Sequence, residues 1–407
     1  MSEALLVKNI GLLQTPEGKA PLRGAAQGRN RKYRNAAVLV ENGVICAVTE
    51  NGVLPDCPAG ADMVDAGGRL VTPGLVDAHT HLVFGGWRQH EIPLKLAGAG
   101  YLDILAAGGG ILSSVDATRA ATEDELYEKS FGFLDELFAQ GVTTVEAKSG
   151  YGLDTKNEIK QLTVIRRLRE THRADVIPTF LGAHAVPREY LGRADEYVAL
   201  LCRETLPAVA WDGLAEYCDV FCEKGAFDVA QSRRVLTTAL YHGMKPKLHV
   251  DEIEEIGGTA LAKELRAASA EHLAVTGGAG MEALAAAGAV AVLLPGTSFY
   301  LNKGFANARG MIEHNIPVAV ATDFNPGSCP SLNIGLCMTL AYLKYRMTPE
   351  EILTSVTLNA ACAVGRGEVS GSVEAGKRGA LVVWDAPDVE TLCYRFGSNL
   401  AKTVITP

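Results

Sequence analysis

The chain has no apolar run long enough to cross a bilayer. The longest, Ala283 to Leu294, is alanine-rich and short. The chain also lacks a charged leader followed by an apolar core: it opens Met1-Ser-Glu-Ala-Leu-Leu-Val-Lys-Asn-Ile-Gly. It has no block of like charge. Lys and Arg number 38 against 47 Asp and Glu, a net charge of −9. That balance excludes nucleic acid and anionic membrane surfaces as partners. The densest basic stretch, Arg23 to Arg34, reads as a solvated loop. The cysteines are odd in number, nine, and irregularly spaced, which excludes a regular disulfide framework. Cys218 and Cys222, in an apolar segment, read as core thiols of a reducing compartment. A cytoplasmic protein is expected. No short repeat is visible.

What is present is a core and a rhythm. Of 407 residues, 48% are hydrophobic, enough for a barrel with a small appendage. Eight β-like runs occur, most separated by helix-like segments: Leu70–His81, Val142–Ser149, Asp175–His184, Cys218–Glu223, Lys245–His249, Ala268–Leu273, Ala289–Leu294 and Pro317–Asp323. Amphipathic segments such as Thr155–Thr171, Asp228–His242 and Met281–Ala287 lie between them, and Asp154/Thr155 and Thr348-Pro349-Glu350-Glu351 are good helix starts. The pattern predicts an α/β fold, a (β/α)8 barrel over residues 67–365 with a long helical insertion, Ile92–Gln140. Residues 1–66 and 366–407 read as short strands and turns and are expected to meet in one small β-sandwich.

In such a barrel the chemistry gathers at the C-terminal strand ends. His79 and His81 close the first run; side chains two apart on a strand leave the same face, so both imidazoles enter one space. A His-x-His pair alone is a weak signal. Here His184, His249, His272 and Asp323 close further predicted strands, so six groups converge on one rim. His79, His81, His249 and Asp323 make three imidazoles and one carboxylate, a set that holds one divalent ion and leaves room for a water. Coordination makes such a water acidic enough to react at neutral pH. Glu252, three residues past His249, can return a carboxylate to the pocket as the proton-handling base; Asp251 and Glu254 are rivals.

Several longer strings carry more specific information: Pro73-Gly-Leu-Val-Asp-Ala-His-Thr-His81, Val83-Phe-Gly-Gly-Trp-Arg88, Lys148-Ser-Gly-Tyr-Gly-Leu-Asp154, Thr179-Phe-Leu-Gly-Ala-His-Ala-Val-Pro187, Asp219-Val-Phe-Cys-Glu223 and Thr322-Asp-Phe-Asn-Pro-Gly-Ser-Cys329. From about residue 36 to residue 384 the chain resembles the amidohydrolase superfamily, and within it the ring-opening hydrolases of histidine degradation. The resemblance implies hydrolysis of 4-imidazolone-5-propanoate to N-formimino-L-glutamate. It implies His79, His81, His249 and Asp323 as metal ligands, with Asp323 also catalytic, and Glu252 and His272 as the proton-handling pair. It implies that Arg88, Tyr151, His184 and Glu252 bind substrate, with Asn325, Gly327 and Ser328 touching its amide and carboxylate ends. One zinc or iron ion per chain and no organic cofactor are expected, together with a small anionic substrate and a homodimer. Val250 departs from the pattern, standing where a smaller residue is expected.

Some superfamily members hold two metals bridged by a carboxylated lysine after the fourth strand, and Lys224 lies near such a place. The His249-to-Glu252 spacing fits the one-metal type instead. Two other functions compete: a deaminase of a nitrogen heterocycle such as cytosine or guanine, and a metal-free scaffolding relative. Arg88 with Tyr151 favours a substrate with an anionic tail, which a nucleobase lacks.

Overall fold

The computed structural model describes residues 4–98 and 108–407. The chain begins with strands β1 (Ala4–Thr15), β2 (Arg31–Glu41), β3 (Val44–Thr49), β4 (Asp62–Asp65) and β5 (Leu70–Pro73). The barrel strands follow: β6 (Leu75–Asp77), β7 (Val142–Lys148), β8 (Asp175–Ala183), β9 (Tyr217–Cys222), β10 (Lys245–Val250), β11 (Ser269–His272), β12 (Val290–Leu293) and β13 (Val318–Val320). β14 (Leu381–Trp384) and β15 (Ala401–Ile405) end the chain.

The two chain ends meet, as expected, in one β domain. Its seven strands run in the order β15-β14-β5-β1-β2-β3, with β4 beside β1. It has an apolar core of its own, including Val7, Ile10, Leu13, Val38, Ile45, Val71, Leu381 and Val383.

The segment expected as a single strand, Leu70–His81, is divided between the two sheets. β5 pairs with β1 and β14 of the terminal sheet, and β6 opens the barrel beside β7. The change of partner falls at Gly74, whose N–H bonds to Ala380 while that of Leu75 bonds to Gly141. A Cβ at Gly74 would run into the Thr143 side chain, so only glycine lets the chain pass this close to β7.

The eight barrel strands lie in sequence order, β6 to β13, every pair parallel. β6 and β13 have three residues each, and the seam between them closes just beyond their ends. There the Asp323 N–H donates to the His79 carbonyl at 3.1 Å, and the His81 N–H to that of Phe324 at 2.9 Å. Buried Asp77 ties the same seam, accepting from the Thr322 hydroxyl at 2.6 Å and its N–H at 3.1 Å. Thus the loops that close the barrel also carry predicted metal ligands.

The outer helices start where local chemistry favours it. Asp154 caps Thr155–Thr171 by accepting the Asn157 N–H at 2.8 Å, and Thr348 with Glu351 forms a capping box around Pro349–Ser355. The insertion after β6 contains helices Ile92–Leu96, Ile111–Ala120 and Glu123–Ala139; the part at 99–107 lies outside the described residues.

Candidate active site at the barrel mouth

Strand ends and one seam bring four donor atoms together. The Nε2 atoms of His79 and His81 lie 3.3 and 3.5 Å from Oδ1 of Asp323, and Nε2 of His249 lies 3.4 Å from that of His81. A tetrahedral ion with bonds of about 2.0–2.1 Å to its ligands has ligand–ligand edges of about 3.3–3.4 Å. The three distances match such edges; His79, His81 and Asp323 form one group that could hold an ion, and His79 and His249 belong with His272 to a second group beside it. All four side chains are at most 3% exposed.

Carboxylates stand behind two of the imidazoles. Nδ1 of His79 lies 2.6 Å from Glu271, and Nδ1 of His249 lies 3.0 Å from Asp219. With Nδ1 facing a carboxylate, each ring is disposed to present the lone pair of Nε2 to the common centre. Burial works against charge on His79, but Glu271 outweighs it and holds its pKa up to about 9. Burial likewise opposes charge on Asp323, yet the His79 and His81 rings keep it well below the usual carboxylate range. Burial, and then His79, push His249 well below the usual imidazole value. Three imidazoles and a carboxylate are donor types that a borderline divalent cation takes, and such an ion would replace the proton that Glu271 otherwise holds on His79.

Below the ligands, inside the barrel, lies a dry charge network. The Lys148 ammonium sits 2.8 Å from Glu146, 2.8 Å from Asp219 and 2.9 Å from Glu271; Lys247 bridges Glu146 and Glu271 at 2.8 and 3.0 Å. All five are fully buried. Burial opposes charge on Lys148, but Asp219, Glu146 and Glu271 hold its pKa well above normal. Three carboxylates thus engage its ammonium group. Lys224, the lysine weighed as a bridge between two metals, is exposed and paired with Glu254 at 2.6 Å, away from the buried ligands.

Glu252 and His272 stand next to this centre, with Oε2 and Nδ1 3.8 Å apart. A cleft of about 230 Å³ opens over them, lined further by Thr297, Ser298 and Lys303. Of its lining residues, Thr297 donates its hydroxyl to Asp323 at 2.5 Å. The rivals of Glu252 are turned elsewhere. Asp251 is buried and accepts from Thr276 at 2.9 Å, and burial pushes its pKa up to about 6. Glu254 pairs with Lys224. Asp251, His272, Leu273 and Asp323 all have φ between 53° and 71°, a left-handed conformation that non-glycine residues adopt at a cost.

His184 stacks on His81, ring centres 4.9 Å apart. Its Nδ1 lies 3.0 Å from the Gly150 carbonyl, which can only accept, so Nδ1 carries the hydrogen and Nε2 is left as an acceptor. Burial, then the neighbouring His81, push its pKa down to about 3. Tyr151 packs on both rings, and burial raises its phenol above the usual range.

Arg88 makes two bonds to the buried Glu91, from Nε at 2.7 Å and Nη2 at 3.2 Å. Its third nitrogen, Nη1, lies against Gly327, where any Cβ would overlap it. Asn325, Gly327 and Ser328 were expected to touch substrate. Within the loop, the Asn325 side-chain carbonyl accepts the Gly327 and Ser328 N–H groups at 2.8 and 2.7 Å, and its side-chain amide donates to the Asp323 backbone carbonyl at 2.7 Å. Val250 packs towards Gly258, where a Cβ would run into it, so the missing side chain there makes room for the larger residue.

Sequence reasoning missed Glu91, Asp219, Glu146, Lys148, Lys247 and Glu271 as parts of this site. A signal existed: five of the six charges sit inside predicted barrel strands of otherwise apolar or β-branched composition.

The profile of the Amidohydrolase family matches residues 70–406, and the chain belongs to that family. Its relatives narrow this to the imidazolonepropionases. The chain is 49% identical over 405 residues to an imidazolonepropionase of Alkaliphilus metalliredigens, covering 98% of this chain and 96% of that one. It is 47% identical to one of Bacillus velezensis, covering 98% and 95%. In fold it is similar to 5-methylcytosine deaminase from Klebsiella pneumoniae, with a TM-score of 0.72 at 16% identity, covering 97% and 95% of the two chains. It is also similar to E. coli guanine deaminase, with a TM-score of 0.72 at 14% identity, covering 100% and 98%. Likeness at that identity speaks for the fold alone.

Proposed function

We propose that the chain hydrolyses the ring amide of 4-imidazolone-5-propanoate, giving N-formimino-L-glutamate. The observation that carries this reading is the convergence of His79, His81, His249 and Asp323 on one end of the barrel beside Glu252 and His272, in a chain whose full-length relatives are imidazolonepropionases. An ion held by those four residues supplies Lewis-acid activation of water and of the ring carbonyl when bound.

The protein groups do the rest. Glu252 accepts the proton of the attacking water at its carboxylate and returns it to the ring nitrogen as the C–N bond breaks. His272 donates to the carbonyl oxygen as negative charge develops there. Arg88, already oriented by Glu91, offers Nη1 to the propanoate tail. Tyr151 and the acceptor nitrogen of His184 line the face of the ring. The 325–328 loop acts chiefly by leaving space for Arg88 and by holding Asp323.

We further assign one zinc or iron ion per chain, a homodimer and a cytoplasmic setting. All nine cysteines are free thiols, which suits a reducing compartment, and no described helix is long and apolar enough to span a membrane. Turnover of 4-imidazolone-5-propanoate, elemental analysis and light scattering test these assignments together. Release of ammonia from cytosine or guanine, without turnover of the imidazolone, favours the deaminase reading instead.

A further inference from the structure

We propose that Glu223 is a positioning residue for Glu252: its buried carboxylate gathers the backbone N–H groups of the loop that carries the base. Glu223 ends the string Asp219-Val-Phe-Cys-Glu223, just past β9, and is 1% exposed. Its own backbone is fixed by a turn, its N–H donating to the Phe227 carbonyl at 3.0 Å and its carbonyl accepting from Ala226 at 3.0 Å. From there the side chain crosses to the loop after β10. Oε2 accepts the N–H groups of Glu252 and Ile253, both at 3.0 Å. Oε1 accepts that of Glu254 at 3.1 Å and that of Lys224 at 2.8 Å.

The arrangement resembles the cap of a helix, yet no helix follows: residues 251–257 are irregular, and the next helix begins at Gly258. Among the described residues Glu223 has no cationic partner, so these four N–H groups alone stand against its charge. Three successive amides aimed at one carboxylate hold the loop in a single conformation. That conformation turns the Glu252 side chain to His272 and the cleft while Asp251 is turned to Thr276. The Glu252 carboxylate itself stands 3.8 Å from His272, too far for a hydrogen bond to fix it, so its backbone carries the orientation. The exposed Lys224–Glu254 pair joins the same two loops at the surface, where a single ion pair contributes little.

This inference rests on Glu252 being the base. The test is a double-mutant cycle in the metal-loaded enzyme with 4-imidazolone-5-propanoate as substrate. Glu223→Gln keeps the shape but replaces two acceptor sites by donors. It should lower kcat by roughly 10- to 100-fold, the scale on which a small misplacement of a catalytic group acts, with KM and metal content little changed. In a Glu252→Gln background the same substitution should cost little more, because no base remains to be positioned. Lys224→Ala should behave like wild type.

A cost that multiplies undiminished in the double variant overturns the proposal, as does wild-type turnover of Glu223→Gln beside a slow Glu252→Gln. Wild-type turnover of Glu252→Gln overturns the assignment of the base itself, and the role of Glu223 with it. If the Glu223 variants fail to fold, amide exchange in the wild-type protein decides. The Ile253 and Glu254 amides should be strongly protected; exchange at the rate of an open loop overturns the proposal.

Discussion

At the scale of single residues, proximity in the chain does not predict which charge does the work. Asp251, Glu252 and Glu254 are sequence neighbours, yet one faces Thr276, one the cleft and one Lys224. Glu252→Gln should keep the metal and lose about 10²–10⁴-fold in turnover, the usual cost of a lost general base. Asp251→Asn should cost much less; a reversed order in steady-state assays transfers the role. Arg88→Met should raise KM by about one to two decades, since a charged hydrogen bond contributes about 1.5–3 kcal/mol, while kcat falls less. Glu91→Gln should move KM the same way, because Glu91 orients the guanidinium. Burial opposes charge on Glu91, but the Arg88 guanidinium, the Gly110 N–H and Lys95 hold its pKa down to about 2. A folded-state pKa below the unfolded one stabilises above the unfolded value and is lost as pH falls through the folded one. Wild-type thermal stability should therefore fall more steeply between about pH 4 and pH 2 than that of Glu91→Gln, with about 4.3 as the unfolded reference. Equal slopes for the two proteins count against the pairing.

At the scale of elements, the strand ends were legible and the interiors were not. His79, His81, His184, His249, His272 and Asp323 could be placed because each closes an apolar run, and such runs end where the barrel opens. Leu70–His81 misled because β5 and β6 share one apolar run, and only the close approach of Gly74 to Thr143 forces the change of sheet. The Lys148–Glu271 network stayed hidden because a charge inside a strand ordinarily marks its solvent face, whereas a small barrel has an inside that can be polar. Its partners explain one another only in three dimensions: Glu271 meets Lys148, Lys247 and His79 from three other strands or strand ends. Removing one member leaves the rest buried and unbalanced. Glu271→Gln and Asp219→Asn should each weaken metal binding by about 10- to 100-fold, the range seen when the partner behind a metal-bound histidine is lost. Competition against a chelator measures this, and unchanged affinity in both removes the carboxylates from the metal's support.

At the scale of the whole molecule, the candidate metal site and the barrel's closure coincide. The first and last barrel strands are short, and they join through bonds between residues 79–81 and 323–324, the segments that supply three of the four ligands. His249 adds the opposite side of the mouth from β10. A bound ion therefore ties the seam to the middle of the sheet, and binding only the folded state stabilises it by mass action. At a free-ion concentration 1,000 times Kd the gain is about 4 kcal/mol. At about 1 °C per kcal/mol for a chain of this size, chelation should lower Tm by roughly 5 °C. The fall should be reversed by adding the ion back and should be small in His249→Ala, which loses one ligand but leaves the seam's own hydrogen bonds intact. Amide exchange locates the effect: on chelation the Asp323 and His81 amides should lose protection before those of β8 and β9. If protection is lost first in the terminal sheet, the ion is not what holds the barrel shut, and the seam relies on its own hydrogen bonds, those of Asp77 with Thr322 and those between residues 79–81 and 323–324.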